Sequence, residues 1–320
     1  MKSFIQKILL FGLKLSVSSA FLYFLLSKIG VEKLLDNMKR MNPAAFAAAV
    51  AVYLSASYIS TLRWKMLVPY KTKTKRLFDM YMIGAFFNIC MPGLIGGDAV
   101  KIFYLGREIK NKRGKAECRK LQTGENALAV ASVFMDRYIG FAALMTIATI
   151  TFPFGFEYLQ NTPVKWLVPF VVTSFIAGSI VVFRFRIGGQ INFISNVYDN
   201  FSLYKNQRAV IGRCFAYSLF IQVLSVLGVY ILALGLSMNI SFLSVFVFLP
   251  IIIVISFLPL SISGIGLREG AFVFLFGLTG VSEDMAMTLS LVWFFSIIAA
   301  SLWGLVEYLR FKTVLGSDIK

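Results

Sequence analysis

The stretch Asn88-Ile89-Cys90-Met91-Pro92-Gly93-Leu94-Ile95-Gly96-Gly97-Asp98 interrupts an apolar run with proline and glycine and then delivers it to a carboxylate. A second stretch repeats the pattern: Leu258-Pro259-Leu260-Ser261-Ile262-Ser263-Gly264-Ile265-Gly266-Leu267-Arg268-Glu269. Backbone that leaves the helix inside a bilayer must find polar partners, so it survives only within protein or beside water. Two such interruptions at matching places in two halves of a chain point to a transporter's binding site.

Outward from these breaks, the chain reads as membrane helices. Spans are expected at about 5–27, 44–62, 127–152, 164–183, 214–235 and 285–309, each close to the ~20 residues that cross ~30 Å of hydrocarbon. Regions 77–106 and 242–280 carry the breaks. The piece from Phe78 to Met91 rises only about 21 Å, too short to cross, which favours a re-entrant pair of half-helices. Residues 242–257 come closer to spanning length. The expected fold is an all-α polytopic membrane protein, with about six full spans and two Pro/Gly-broken helical hairpins.

Composition agrees. Hydrophobic residues are 58% of the 320, which leaves room for a single membrane domain, 1–320, and no large soluble one. The amino-terminal run from Ile8 to Leu26 resembles a signal peptide but lacks a convincing cleavage site, so it reads as a first membrane helix. Histidine is absent, which removes the commonest general base and metal ligand. Cys90, Cys118 and Cys214 have no metal-binding spacing. No metal and no cofactor are expected.

The net charge of +17 sits in loops beside apolar runs. That distribution argues for membrane topology and anionic headgroups, not nucleic acid. Basic residues collect in 63–76, 107–126 and 184–213, while 153–163 and 236–241 carry none and 281–284 carries Glu283 and Asp284. The positive-inside rule then places both termini in the cytoplasm of a cell-membrane protein. Loop 28–43 resists, with Lys28, Lys33, Lys39 and Arg40 on the outer side. With this orientation the hairpins enter from opposite faces, and residues 1–152 and 153–320 form inverted halves. Within 184–213, Ile187, Ile191, Ile194, Tyr198 and Phe201 recur at helical spacing, which suits an amphipathic helix in the interface or a linker packed on the bundle.

Seven residues are candidates for substrate binding or translocation. Asp98 follows Gly96-Gly97 and either caps the next half-helix or serves a substrate or proton. Lys101 lies one turn on, where a purely structural pair with Asp98 is also possible. Asn88 either caps freed backbone or bonds a substrate. Asp136 and Arg137 sit two to three turns into a spanning run and must face the interior or a water cavity. Arg268 and Glu269 open the second half-helix, either as a phosphate site or as an internal ion pair. Arg268→Ala is expected to lower translocation and leave folding intact. Arg63 reads as an interfacial anchor. The backbone breaks themselves are Pro92, Gly93, Gly96, Gly97, Pro259, Gly264 and Gly266.

These residues resemble the flippase-like membrane-domain family, which includes the transmembrane part of lysylphosphatidylglycerol synthases. The resemblance rests on Arg63-Trp64, Gly84-x-x-x-Asn88-x-x-x-Pro92-Gly93-x-x-Gly96-Gly97-Asp98, Asp136-Arg137-x-x-Gly140, and Pro259-x-Ser261-x-Ser263-Gly264-x-Gly266-x-Arg268-Glu269. The family usually has Glu where Asp136 stands. The resemblance implies movement of a lipid between leaflets. In bifunctional members a separate soluble domain makes the aminoacyl lipid, and these 320 residues contain no such domain. The expectation is a non-enzymatic flippase for a lipid with a polar or charged headgroup. Aminoacyl-phospholipid, other anionic phospholipid and polyprenyl-linked lipid all remain open, as does a homo-oligomer or a lipid-synthase partner. The alternatives are a lysyltransferase-type enzyme using Asp98 or Glu269 as base, and a non-transporting partner of a synthase.

Overall fold

A computed structural model describes residues 16, 19, 23–68, 70–90, 96–113, 125–185, 207–257 and 264–317. Ten α-helices follow a helical stretch at 23–29: α1 (Val31–Lys39), α2 (Pro43–Leu67), α3 (Thr74–Cys90), α4 (Gly96–Arg113), α5 (Glu125–Leu159), α6 (Leu167–Phe185), α7 (Arg208–Gly235), α8 (Phe242–Phe257), α9 (Leu267–Gly277) and α10 (Glu283–Ser317). A 3₁₀ turn, Pro163–Trp166, leads into α6. No strand occurs among the described residues. Among the described residues, five helical stretches are long and apolar enough to cross a bilayer: Pro43–Leu67, Asn126–Leu159, Pro163–Val182, Arg208–Gly235 and Glu283–Arg310. The protein is an all-α polytopic membrane protein. Most of the expected first span, the breaks Pro92, Gly93 and Pro259, and 186–206 of the expected interfacial segment lie outside the described residues.

Local chemistry explains the element ends. Asn42 caps α2, its Oδ1 accepting the Ala44 N–H at 2.9 Å, with Pro43 at the first helical position. Gly264 and Gly266, at φ +78° and +88°, form the turn into α9, a conformation that any Cβ would strain. Two expectations change. α5 runs seven residues beyond 152, straight through Pro153, because the apolar sequence continues past the proline and its packing outweighs one lost hydrogen bond. Loop 28–43 contains α1, a short helix that buries Leu34 against Leu25, Ile29 and Met287. The basic residues that stood against the charge rule there are partly matched: Lys28 pairs with Glu283 at 2.7 Å and Lys39 with Asp36 at 3.2 Å.

The helices on either side of the breaks are short. α3, α4, α8 and α9 have 17, 18, 16 and 11 residues, so none rises more than about 27 Å. α3 packs on α10 and α8 on α5; α4 packs on α5 and α9 on α10. α5 meets α7, α10 meets α2, and α2 lies along α7. Exchanging α2–α5 for α7–α10 maps the first six of these contacts onto one another in pairs and the α2–α7 contact onto itself. Each hairpin also has its own core. Leu77, Met80, Ile83, Leu105 and Ile109 fill the first, and Phe248, Ile252, Phe272 and Phe276 the second. α6 stands at the periphery with Phe170, Ile176 and Ile180 exposed, as a lipid-facing helix should.

Close backbone approach holds the first hairpin in place. A Cβ at Gly304 of α10 would collide with the Met82 carbonyl of α3, and one at Gly97 with the Gly84 carbonyl. Small residues at such crossings let membrane helices touch. Gly304→Leu is expected to force α3 and α10 apart and to destabilise the protein by about 1–3 kcal/mol or more. Gly178→Ala on α6, where a Cβ meets nothing within 4 Å, should be neutral or slightly stabilising. Thermal unfolding in detergent compares the two.

Candidate functional site

A cavity of ≈610 Å³ opens where α2, α5, α7 and α8 converge. Its polar lining is Ser60, Arg63, Asp136, Arg137, Gln222 and Ser225. Aromatic rings line it too, among them Phe141, which packs edge to face on Phe175 at 5.2 Å and on Phe257 at 6.0 Å. Tyr53, Ser225 and Trp293 also line a second void of ≈60 Å³ that abuts the cavity.

Of the two guanidiniums that line the cavity, Arg63 is sealed at 7% exposure and Arg137 is the open one. It lies twelve residues into α5, about 18 Å from the helix start, and 43% of its side chain is nevertheless exposed. Phe134, Tyr138 and Phe141, at helical spacing around it, line the same cavity. Nε and Nη2 donate to the two Asp98 oxygens, both at 2.8 Å, a bidentate pair. Asp98 is the third residue of α4. Its carboxylate bonds across to α5.

Lys101, one turn further along α4, stands 3.6 Å from Asp98 Oδ1, the oxygen that Arg137 Nη2 also bonds. Its ammonium lies over the Tyr81 ring at 3.9 Å and 5.8 Å from the Trp64 ring. Gly84 makes room for it: a Cβ there would sit 2.8 Å from the lysine stem. Asn88 closes this corner, its Oδ1 accepting the Gly97 N–H at 2.9 Å. It ties the end of α3 to the start of α4, which is the capping role.

Arg63 is not at the interface. It is buried, donating to Asp136 at 2.7 Å and to Ser218 at 2.8 Å. Gly140 lies one turn after Asp136, on the same face of α5, and a Cβ there would come within 3.1 Å of the Arg63 guanidinium. The spacing Asp136-Arg137-x-x-Gly140 thus serves two arginines: Asp136 and Gly140 receive Arg63, while Arg137 turns to Asp98. Arg63 is the cavity-lining residue that sequence reasoning places elsewhere.

Arg268 and Glu269 form a separate group and are not among the residues that line the cavity. Arg268 donates to Glu269, lies 3.3 Å from Ser290 and stacks 4.4 Å above Phe294. Glu269 in turn accepts the Gly266 N–H at 2.7 Å, occupying the start of α9 where an anion would otherwise bind. Both are buried. The exposed cation at the cavity is therefore Arg137, not Arg268. Of the seven candidates, Asp136 and Arg137 line the cavity, Asp98 and Lys101 stand behind Arg137, Asn88 braces them, and Arg268 with Glu269 forms an internal pair.

Comparison with known proteins finds a family model described as the lysylphosphatidylglycerol synthase TM region, matching residues 11–304. A UPF0104 membrane protein of Methanocaldococcus jannaschii is 22% identical over 308 residues, covering 87% of this chain and 88% of that protein. A UPF0104 membrane protein of Methanothermobacter thermautotrophicus is 27% identical over 286 residues, 77% of each.

Proposed function

The chain belongs to the lysylphosphatidylglycerol synthase TM-region family, and from that premise we propose that it carries the polar headgroup of a membrane lipid between leaflets. The observation that supports this most is Arg137, a part-exposed guanidinium within a spanning helix, lining a cavity of mixed polar and aromatic residues. Ionisable groups at membrane depth are costly and mark substrate pathways. A volume of ≈610 Å³ lies in the range of small-ligand pockets, which suits a headgroup while the acyl chains stay in the bilayer.

Both termini face the cytoplasm in this reading, and the basic inner loops gather anionic lipid. The α3–α4 hairpin enters from the inner face and the α8–α9 hairpin from the outer. The exchange of packing between α2–α5 and α7–α10 suits inverted halves that rock against one another around the cavity. The void beyond Tyr53, Ser225 and Trp293 would then lie on the route to the other leaflet. Pairing of Asp98 with Arg137 and of Glu269 with Arg268 counts against either carboxylate as the general base of a transferase, since each already holds a guanidinium.

The test is reconstitution of purified protein into vesicles whose fluorescent lipids can be quenched only from outside. Faster exchange than in protein-free vesicles is the expected result. Exchange no faster than in those controls, for anionic, neutral and aminoacylated lipids alike, would remove the transport reading.

A further inference from the structure

The charges around the cavity separate one class of headgroup from another. Both carboxylates there are already engaged. Asp136 is 4% exposed and bonded to Arg63, itself 7% exposed. Asp98 is 16% exposed and held between Arg137 and Lys101. Lys101, at 3%, is sealed. With three cations and two anions, this cluster carries one net positive charge, and its exposed member is Arg137. A cationic headgroup entering the cavity would meet a guanidinium and no unengaged carboxylate among the described residues.

We propose that the site takes a lipid-borne phosphate, as a mono- or diester with no added amine, and turns away a cationic aminoacyl headgroup. The proposal rests on the lipid-carrying reading and names its substrate class. The geometry supplies the exchange. A phosphate offers Arg137 the same bidentate acceptor that Asp98 now offers. When Arg137 turns to the phosphate, Asp98 stays with Lys101, so no buried carboxylate is left unpaired. That matters, because an orphaned buried charge would cost more than the new bond returns. Lys101 is held for this purpose between Gly84 and the Tyr81 ring. Selectivity then comes from repulsion as well as attraction.

Headgroup preference tests it. Purified full-length protein in neutral detergent is titrated with phosphatidic acid, phosphatidylglycerol, lysyl-phosphatidylglycerol and inorganic phosphate, and binding is followed by thermal shift. The +17 surface attracts any anionic lipid, so the decisive reading is the difference between wild type and Arg137→Gln. Wild type is expected to bind the two anionic lipids about tenfold more tightly than the lysyl lipid, and Arg137→Gln to erase that ratio. Asp98→Asn, which releases Arg137, should raise affinity for the anionic lipids about tenfold. The wild-type comparison decides even if that variant does not fold. Equal or tighter binding of the lysyl lipid would overturn the proposal. So would inorganic phosphate binding as tightly as the lipids, which would point to a free anion. Lipids that bind and cross without charge preference would sink this inference alone; the absence of any lipid movement would sink the transport reading beneath it.

Discussion

Arg137→Gln is expected to slow lipid exchange in reconstituted vesicles by one to two orders of magnitude, while the purified protein remains monodisperse and melts near the wild-type temperature. Hydrogen bonds to charged groups are worth roughly 1.5–3 kcal/mol each, and every 1.4 kcal/mol is a factor of ten. Stability should hold because the partner left behind is not stranded: Asp98 keeps Lys101 at 3.6 Å. Glutamine also replaces a side chain whose outer part already faces the cavity, so no sealed void is created. A transport rate equal to wild type in the folded variant would remove Arg137 from the pathway. Loss of folding together with loss of transport would recast it as a structural ion pair.

The membrane class, the two hairpins' short helices and the special places of Asp98, Asp136 and Arg137 were legible in the chain, because each is a local violation. Charge within an apolar run and glycine before a carboxylate need no partner to be noticed. What stayed hidden was pairing. Arg63 lies beside Trp64 and Lys65, as an interfacial anchor would, and its acceptor Asp136 is 73 positions away. The clue was Gly140, one turn from Asp136, a small residue whose reason is the guanidinium laid against it. α1 was missed because 28–43 is polar and short, and its support comes from Met287 on the last helix. The full lining of the cavity could not be read, since its walls come from seven separate helices.

Arg268→Ala, by contrast, is expected to destabilise the protein by about 3–5 kcal/mol, against the sequence expectation that folding would survive. Breaking a buried pair leaves the other charge uncompensated, and among the described residues no second cation pairs with Glu269. Its other neighbours are the Gly266 N–H and the Ser290 hydroxyl, which ease a carboxylate without neutralising it. Asp98 and Glu269 are each the third residue of a half-helix that follows a break. Asp98 draws its arginine from α5, where that arginine can face the cavity. Glu269 draws its arginine from the preceding position, under the Phe294 ring, where it is sealed. Glu269→Gln should cost a similar amount by orphaning Arg268. Arg268→Met combined with Glu269→Gln should recover more than half of either loss, since removing both charges removes the mismatch, and a double-mutant cycle of thermal unfolding in detergent measures that coupling. Wild-type melting in Arg268→Ala alongside lost transport would reverse the assignment and return Arg268 to the lipid's path.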